Sequence, residues 1–214
     1  MQRIRLRFDN VCKTYLAIFC LILKKSVTIV GQLKIMTIAQ NAAKQAGLER
    51  FRRNRKMIKV LFICHGNICR SPMAEFVLKD MVSKRGLQSC FEIASAATST
   101  EEIWNGIGNP VYPPAKAELA KHGLSCDGKR AVQLKASDYD YYDYLIGMDT
   151  KNISNMERMT GHKAGEKIYL LLSFNNESRS VRDPWYYNCY DETYRDVVTG
   201  CTAFLKYLEK EGKI

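Results

Sequence analysis

The chain lacks a hydrophobic run long enough to cross a bilayer. Its longest apolar run, residues 15–23, has nine residues and is followed by two lysines, whereas a spanning helix needs about 20. Proline and glycine are also sparse, at 5 and 13 of 214 residues, which excludes a collagen-like or low-complexity chain. With 46% hydrophobic and 26% charged residues, the composition is that of a folded protein with one domain and an appendage, or two very small domains.

The net charge of +11 is confined to the first quarter of the chain. Residues 1–56 hold 13 of the 33 basic residues and only two of the 22 acidic ones, so residues 57–214 are balanced. We therefore expect a basic extension at 1–56 outside the folded domain, with Met57 as an alternative start. The functional alternative is a peripheral membrane anchor, and no convincing cleavage site supports a signal peptide. The balanced part predicts no nucleic-acid binding and no stable membrane span.

Cysteine is not scarce, but its spacing does not indicate a disulfide framework. Two of the eight cysteines lie in the extension, and the other six, at 64, 69, 90, 126, 189 and 201, are scattered. A domain of this size can bury a core without disulfides. We therefore expect reduced thiols and a cytoplasmic protein.

Strand and helix patterns alternate along residues 57–214. Residues 59–64 (KVLFIC) are typical of a strand buried on both faces, and a helix follows, with Ser71 as its N-cap and Pro72 at its first position. Further strands are predicted near 91–97, 144–148 and 167–171, and further helices near 114–122, 150–160 and 197–208. This alternation predicts a parallel sheet with helices on both faces and a ligand site at the carboxyl ends of its strands.

The first such loop, residues 64–71 (CHGNICRS), carries a C-x5-R motif. Backbone N–H groups between Cys64 and the helix would attract an anion and stabilise a thiolate. Gly66 would allow a tight turn, and Arg70 could donate two hydrogen bonds to a tetrahedral oxyanion. The alternatives are a buried structural thiol, a surface salt bridge, or a zinc site that includes His65; no second pair of ligands at metal spacing supports the zinc site.

Six motifs in one order carry a family resemblance. CHGNICRSP after an apolar strand, SAATS at 95–99, IGNP at 107–110, KHGL at 121–124, MD at 148–149 and DPWY at 183–186 resemble the low-molecular-weight protein tyrosine phosphatases. The match covers essentially all of 57–214. It implies a four-stranded parallel sheet with helices on both faces. It also implies hydrolysis of phosphotyrosine in proteins, or of small aryl phosphates, without a metal or organic cofactor.

The resemblance assigns the chemistry to three residues. Cys64 is the nucleophile, Arg70 binds the phosphate, and Asp183 is the acid that protonates the leaving phenolate and then activates water against the cysteinyl-phosphate. The hydroxyl of Ser71 steadies the thiolate. The other phosphate-binding positions follow in the same loop: His65, Gly66, Asn67, Ile68 and Cys69.

Behind the loop, the resemblance implies that Asn67 holds the loop's shape, with Ser95 and His122 hydrogen-bonded beyond it. A second interpretation is open for His122, because a histidine in this position can cap the end of its own helix. The family also implies a reversible disulfide between Cys69 and Cys64 that protects the nucleophile. Its alternative is a small buried apolar residue at 69.

Aromatic residues are expected at the mouth of the site. The resemblance places Trp185 and Tyr186 on one wall, where they would stack on a phenyl ring, and Trp104 on the other. All three could instead be surface aromatics. His65 stands where the best-known members have an apolar residue, which leaves its effect on the thiolate open.

Three other functions fit the same fold or motif. Protein arginine phosphatases prefer threonine where this chain has Ile68, so Ile68 favours phosphotyrosine as the substrate. Thiol-dependent arsenate reductases need two further cysteines close together, whereas Cys90 and Cys126 are isolated. A phospho-binding module without turnover would not need Asp183.

Overall fold

The structure, a computed structural model, describes residues 56–214, so the predicted basic extension lies outside it except for Lys56. The strands are β1 (Ile58–Cys64), β2 (Phe91–Ala97), β3 (Ile103–Trp104), β4 (Ile107–Gly108), β5 (Tyr144–Gly147) and β6 (Ile168–Leu170). The helices are α1 (Arg70–Lys84), α2 (Pro113–Lys121), α3 (Asp138–Tyr141), α4 (Thr150–Thr160), α5 (Pro184–Tyr187) and α6 (Tyr190–Lys210). Over this range no helix is both long and apolar enough to span a membrane.

The main sheet has four parallel strands in the order β2-β1-β5-β6. β1 is central, with Cys64 opposite Ala97 on β2 and Ile63 opposite Gly147 on β5. The predicted four-stranded parallel sheet is therefore confirmed. Because the strands are parallel, the loops that follow β1, β2 and β5 leave the same edge of the sheet.

Side chains of β1 alternate between two apolar layers, as the pleat of a strand requires. Val60 and Phe62 pack in the layer that contains α1 and α6. Leu61 and Ile63 pack in the opposite layer, which includes Met156 of α4. All of these β1 side chains are at most 3% exposed, which explains the nearly continuous apolar run and confirms helices on both faces.

Helix α1 begins two residues earlier than the sequence predicted, at Arg70 instead of Pro72. Cys69 occupies the N-cap position and makes no side-chain capping bond, so the prediction of Ser71 as the N-cap is corrected. Ser71 instead lies in the first turn, where its hydroxyl is used by the loop before the helix. The uncapped N–H groups at this end of α1 are the feature that suits a helix N-terminus to an anion.

A small hairpin after β2 was not predicted. β3 and β4 pair antiparallel around Asn105 and Gly106, whose φ angles of 49° and 77° are both left-handed. This is the backbone that a two-residue hairpin turn requires, and Asn-Gly is its preferred sequence. At the base of the hairpin, Gly108 lies so close to Ala131 that a Cβ atom would meet a backbone oxygen at 1.8 Å.

Candidate active site

A cleft of about 630 Å³ opens at the carboxyl end of β1. Its floor is the loop from Cys64 to Arg70, and its walls come from four other parts of the chain. The wall residues are Glu101, Glu102, Asp149, Thr150, Lys151, Asn152, Asn155, Ser180, Asp183, Trp185 and Tyr186. The cleft therefore joins the C-x5-R motif to the DPWY motif, which lies more than a hundred residues away in sequence.

The Cys64 sulfur receives two contacts from its own loop and helix. Its side chain is buried, with Sγ 3.0 Å from Ser71 Oγ and 3.3 Å from the backbone nitrogen of Asn67, which donates to it. The Asn67 N–H donates to the sulfur, and the Ser71 hydroxyl can do the same. The Cys64 sulfur is thus held at the floor of the cleft by polar groups of its own loop and helix.

Arg70 is fixed between two carboxylates. Only 4% of its side chain is exposed, and its two terminal nitrogens lie 2.6 Å from Asp149 Oδ2 and 2.5 Å from Asp183 Oδ2. Burial works against its charge, but the neighbouring Cys64, Asp183 and Asp149 outweigh burial and raise the pKa of Arg70 above its ordinary value. The guanidinium is thus a permanent cation whose plane is set by Asp149 and Asp183.

Asp149 was missed as a site residue, although the resemblance included the MD motif. It is the N-cap of α4, where its Oδ1 accepts the Asn152 N–H at 2.6 Å and the Asn152 side chain accepts from the Asp149 N–H at 3.2 Å. This reciprocal capping box leaves Oδ2 free to meet Arg70. An Asp-x-x-Asn pattern after a buried strand predicts a helix N-cap. It does not predict that the second carboxylate oxygen of the aspartate will bind an arginine.

Asp183 is presented to the cleft by a short helix. It is the N-cap of α5, with Pro184 at the first helical position, and it accepts the Trp185 N–H at 3.1 Å. Its side chain is 25% exposed. The structure therefore brings Asp183 to Arg70 and Cys64, as the resemblance implied, with the carboxyl group open to the cleft.

Asn67 shapes the loop from inside the protein. Its φ of 57° is left-handed, a conformation that asparagine tolerates better than most residues. Its side chain donates to Ser71 Oγ at 2.9 Å and Ser95 Oγ at 2.8 Å, and accepts the Val132 N–H at 3.1 Å. Asn67 and Ser71 are almost fully buried and do not line the cleft, so their side chains support the loop from behind instead of forming the surface of the cleft, which corrects the prediction that they contact the phosphate.

His122 lies outside this network, which corrects the prediction that placed it behind the loop. It follows the last residue of α2, where its ring lies 3.3 Å from Glu118 Oε1 and stacks on Tyr194 at 3.7 Å between centroids. The alternative position, at the end of its own helix, is the observed one. Beyond Ser95 the network continues instead to Glu75 and Lys129, which the sequence analysis did not single out.

The mouth is aromatic on one side and acidic on the other. Trp185 and Tyr186 line the cleft with 56% and 77% of their surfaces exposed. Trp104 does not line it, which corrects the prediction of a second aromatic wall. Trp104 lies on the β3–β4 hairpin and is 71% exposed. The side of the cleft that it was expected to form is lined instead by Glu101 and Glu102.

Two loop residues face this acidic wall. His65 Nε2 lies 2.9 Å from Glu101 Oε2. Gly66 is so close to Glu102 that an added Cβ would stand 3.0 Å from its Cγ. The tight turn expected of Gly66 belongs to Asn67, which has the loop's positive φ. The missing side chain of Gly66 leaves room for the side chain of Glu102.

The remaining loop residues, Ile68 and Cys69, also line the cleft and are largely buried. Burial, and after it the negative charges of Cys64 and Asp183, raise the pKa of the Cys69 thiol to about 12. Cys69 is therefore a neutral thiol at physiological pH, whereas a cysteine reacts as a nucleophile in its thiolate form. Within residues 56–214 no three His, Cys, Asp or Glu side chains converge as a metal site would require.

Comparisons with known proteins agree with this geometry. The sequence model of the low molecular weight phosphotyrosine protein phosphatases matches residues 59–214. The low molecular weight protein-tyrosine-phosphatase YfkJ of Bacillus subtilis is 38% identical over 160 residues, which are 74% of this chain and all of that protein. Its crystal structure superposes with a TM-score of 0.69, covering 74% of this chain and 98% of that one.

Two further solved structures also match this chain. SP-PTP, a low molecular weight protein tyrosine phosphatase from Streptococcus pyogenes, is 40% identical with a TM-score of 0.61, over 71% of this chain and 93% of that one. DARP, a drosophila arginine phosphatase, is 29% identical with a TM-score of 0.64, over 71% and 98%. On the family match and the identity to YfkJ, the chain belongs to the low molecular weight phosphotyrosine protein phosphatase family.

Proposed function

We propose that this cleft hydrolyses phosphotyrosine, in proteins or in small aryl phosphates, through a phosphoryl group carried on Cys64 Sγ. The observation that carries the proposal is the convergence of the Cys64 thiol, the Arg70 guanidinium and the Asp183 carboxyl on one cleft. These are the nucleophile, the oxyanion clamp and the acid that two-step phosphoryl transfer needs.

In the first step, the phosphate binds to the backbone N–H groups of the loop and to Arg70. The Cys64 thiolate attacks phosphorus, the bond from phosphorus to the phenolic oxygen breaks, and Asp183 gives its proton to that oxygen. Arg70, which is cationic and held by Asp149, balances the charge on the phosphoryl oxygens as the leaving group departs.

In the second step, Asp183, now a carboxylate, takes a proton from water as the water attacks the cysteinyl-phosphate. The sulfur–phosphorus bond breaks, inorganic phosphate is released and Cys64 leaves as a thiolate. Ser71, whose hydroxyl lies 3.0 Å from Cys64 Sγ, stabilises the thiolate in both steps: when it attacks phosphorus and when it leaves.

Phosphoarginine is the alternative substrate class, since the structural neighbour DARP is an arginine phosphatase. Ile68 supports tyrosine: its apolar side chain lines the cleft and offers a phenyl ring, but not a guanidinium, a favourable contact. The resemblance also places threonine at this position in the arginine phosphatases.

A side-by-side assay of the full chain tests the proposal. In the presence of EDTA, we expect kcat/KM for a phosphotyrosyl peptide to exceed that for the matched phosphoarginyl peptide by at least about tenfold. The Ile68→Thr variant should narrow this ratio. Preference for phosphoarginine in the parent would move the protein to the arginine activity. Release from neither peptide would favour the arsenate reductase or the phospho-binding module.

We further propose that Cys69 protects Cys64 during oxidation. Peroxide would convert the Cys64 thiolate to a sulfenic acid, after which the Cys69 sulfur attacks that sulfur, water leaves and a disulfide forms that an added thiol reduces. Both residues line the same cleft. The raised pKa of Cys69, about 12, directs the oxidant to Cys64 first.

The Cys69→Ser variant should therefore lose activity irreversibly. After brief peroxide treatment, dithiothreitol should restore most activity to the parent but several-fold less to the variant, because its sulfenic acid proceeds to the sulfinic acid. Cys126→Ser, at another buried cysteine, is the matched control and should recover like the parent. Equal recovery of all three proteins would contradict the protective role.

A further inference from the structure

We propose that Lys129 and Glu75 are positioning residues for the nucleophile: their ion pair fixes the direction of a hydrogen-bond chain that ends at Cys64. This inference rests on the proposed role of Cys64. Glu75 lies on α1 with 5% of its side chain exposed, and Lys129, in the segment between α2 and α3, is 13% exposed. Neither residue lines the cleft.

The chain of contacts is continuous from the ion pair to the sulfur. Lys129 Nζ lies 3.0 Å from Glu75 Oε2, and Ser95 Oγ donates to the same oxygen at 2.5 Å. Asn67 Nδ2 donates to Ser95 Oγ at 2.8 Å and to Ser71 Oγ at 2.9 Å. Ser71 Oγ is 3.0 Å from Cys64 Sγ. Every member of this chain between Glu75 and Cys64 is buried.

Counting protons shows why the chain has one direction. An ionised Glu75 only accepts, so Ser95 gives its single hydroxyl proton to Glu75 and receives a proton from the Asn67 amide. The other amide proton of Asn67 goes to the Ser71 oxygen. Ser71 therefore keeps its own proton to donate to Cys64 Sγ at 3.0 Å, which is a nearer acceptor than the Ala96 carbonyl oxygen at 3.5 Å.

Lys129 holds in place the Glu75 oxygen that accepts the Ser95 hydrogen bond. The other groups around Glu75 are Lys79, whose Nζ is 2.5 Å from Oε1 and whose side chain is 43% exposed, and the uncharged Cys126 and Tyr142. Without Lys129, Glu75 Oε2 loses the cation that holds it beside Ser95 Oγ, and only Lys79 remains, on the other oxygen. The carboxylate can then turn away from Ser95, which removes the constraint that orders Asn67 and Ser71.

Lys129 also holds the strand that supports the loop. Its Nζ donates to the backbone carbonyl oxygen of Ser95 at 3.0 Å, in addition to its contact with Glu75. The Lys129 ammonium thus contacts both the Glu75 carboxylate and Ser95, the residue whose hydroxyl donates to that carboxylate. Buried ion pairs add little net stability compared with apolar side chains of the same size, so a purely structural role gives no reason for these charges.

The test compares Lys129→Met with Lys129→Arg in the full chain. We expect Lys129→Met to lower kcat for a phosphotyrosyl peptide at least about tenfold, with a smaller change in KM. It should also move the pH profile of Cys64 alkylation by iodoacetamide to higher pH, measured on the Cys64 peptide by mass spectrometry. Lys129→Arg should restore most of both. Lys84→Met, which breaks an exposed pair with Asp80 on the same helix as Glu75, should change neither.

Each outcome decides the inference. A Lys129→Met protein that melts at lower temperature but keeps the parent's kcat and alkylation profile would show a merely structural role. If that variant does not fold, Glu75→Gln, which keeps the shape and removes the charge, must show the same alkylation shift, and an unchanged profile overturns the proposal. If the parent hydrolyses no phosphomonoester but the shift is seen, the proposed function fails while the positioning role stands.

Discussion

Replacing Cys64 with serine is expected to lower kcat by about 10⁴-fold or more while the affinity for inorganic phosphate changes little. A serine hydroxyl must lose its proton to attack phosphorus. The two groups that contact the Cys64 sulfur, the Ser71 hydroxyl and the Asn67 N–H, cannot take that proton. Phosphate still meets the loop N–H groups and Arg70, which the substitution leaves in place.

The measurement is single-turnover hydrolysis of an aryl phosphate, with calorimetric titration of inorganic phosphate as the binding readout. Cys201→Ser, at a buried cysteine whose thiol contacts the Ala74 carbonyl outside the cleft, is the control for exchanging sulfur for oxygen. It should retain the parent's kcat unless it fails to fold. Turnover by Cys64→Ser within tenfold of the parent would mean that another group attacks phosphorus.

Asp183→Asn is expected to lower kcat by about 10²–10³-fold and to change KM little. Asparagine can still accept the Trp185 N–H that caps α5, so the loop should keep its place. The second carboxylate on Arg70, Asp149, continues to orient the guanidinium. What the variant lacks is the proton for the leaving phenolate and the base for the second step.

The signature of that loss is its dependence on the leaving group. Across a series of aryl phosphates, kcat of the parent should vary weakly with the acidity of the phenol, whereas kcat of Asp183→Asn should fall steeply as the phenol becomes less acidic. Asp191→Asn, at an exposed residue paired with Arg195, should behave like the parent. If kcat of Asp183→Asn depended on the acidity of the phenol as weakly as kcat of the parent, Asp183 would not be the acid, and Asp149 would be the next candidate.

The parts of this molecule that local sequence determines were predictable. The KVLFIC run, the alternating elements and the CHGNICRS loop each lie within a few residues, so hydrophobic pattern and motif chemistry suffice. The small differences concern ends: α1 starts at Arg70, and Ser71 turns inward because its hydroxyl meets Asn67 and Cys64. The Asn-Gly turn of the hairpin is likewise a local signal, carried by two adjacent residues.

Long-range contacts could not be derived from pattern. Asp183 came from resemblance alone, because nothing in its own turn indicates that Arg70, more than a hundred residues earlier, will lie beside it. Asp149 was overlooked since one of its oxygens makes an ordinary helix cap. His122 was misplaced for the opposite reason: its motif matched, but the residues that reach Ser95 are Glu75 and Lys129.

The central claim is that the phosphoryl group passes through the sulfur of Cys64, and trapping it there tests that claim most directly. The full chain is mixed with excess phosphotyrosyl peptide and quenched within milliseconds in alkaline denaturant, which preserves a sulfur–phosphorus bond. Peptide mass spectrometry should then find phosphate on Cys64 in the parent and on no residue in Cys64→Ser. Phosphate on another residue, or rapid steady turnover with Cys64 never modified, would contradict the account.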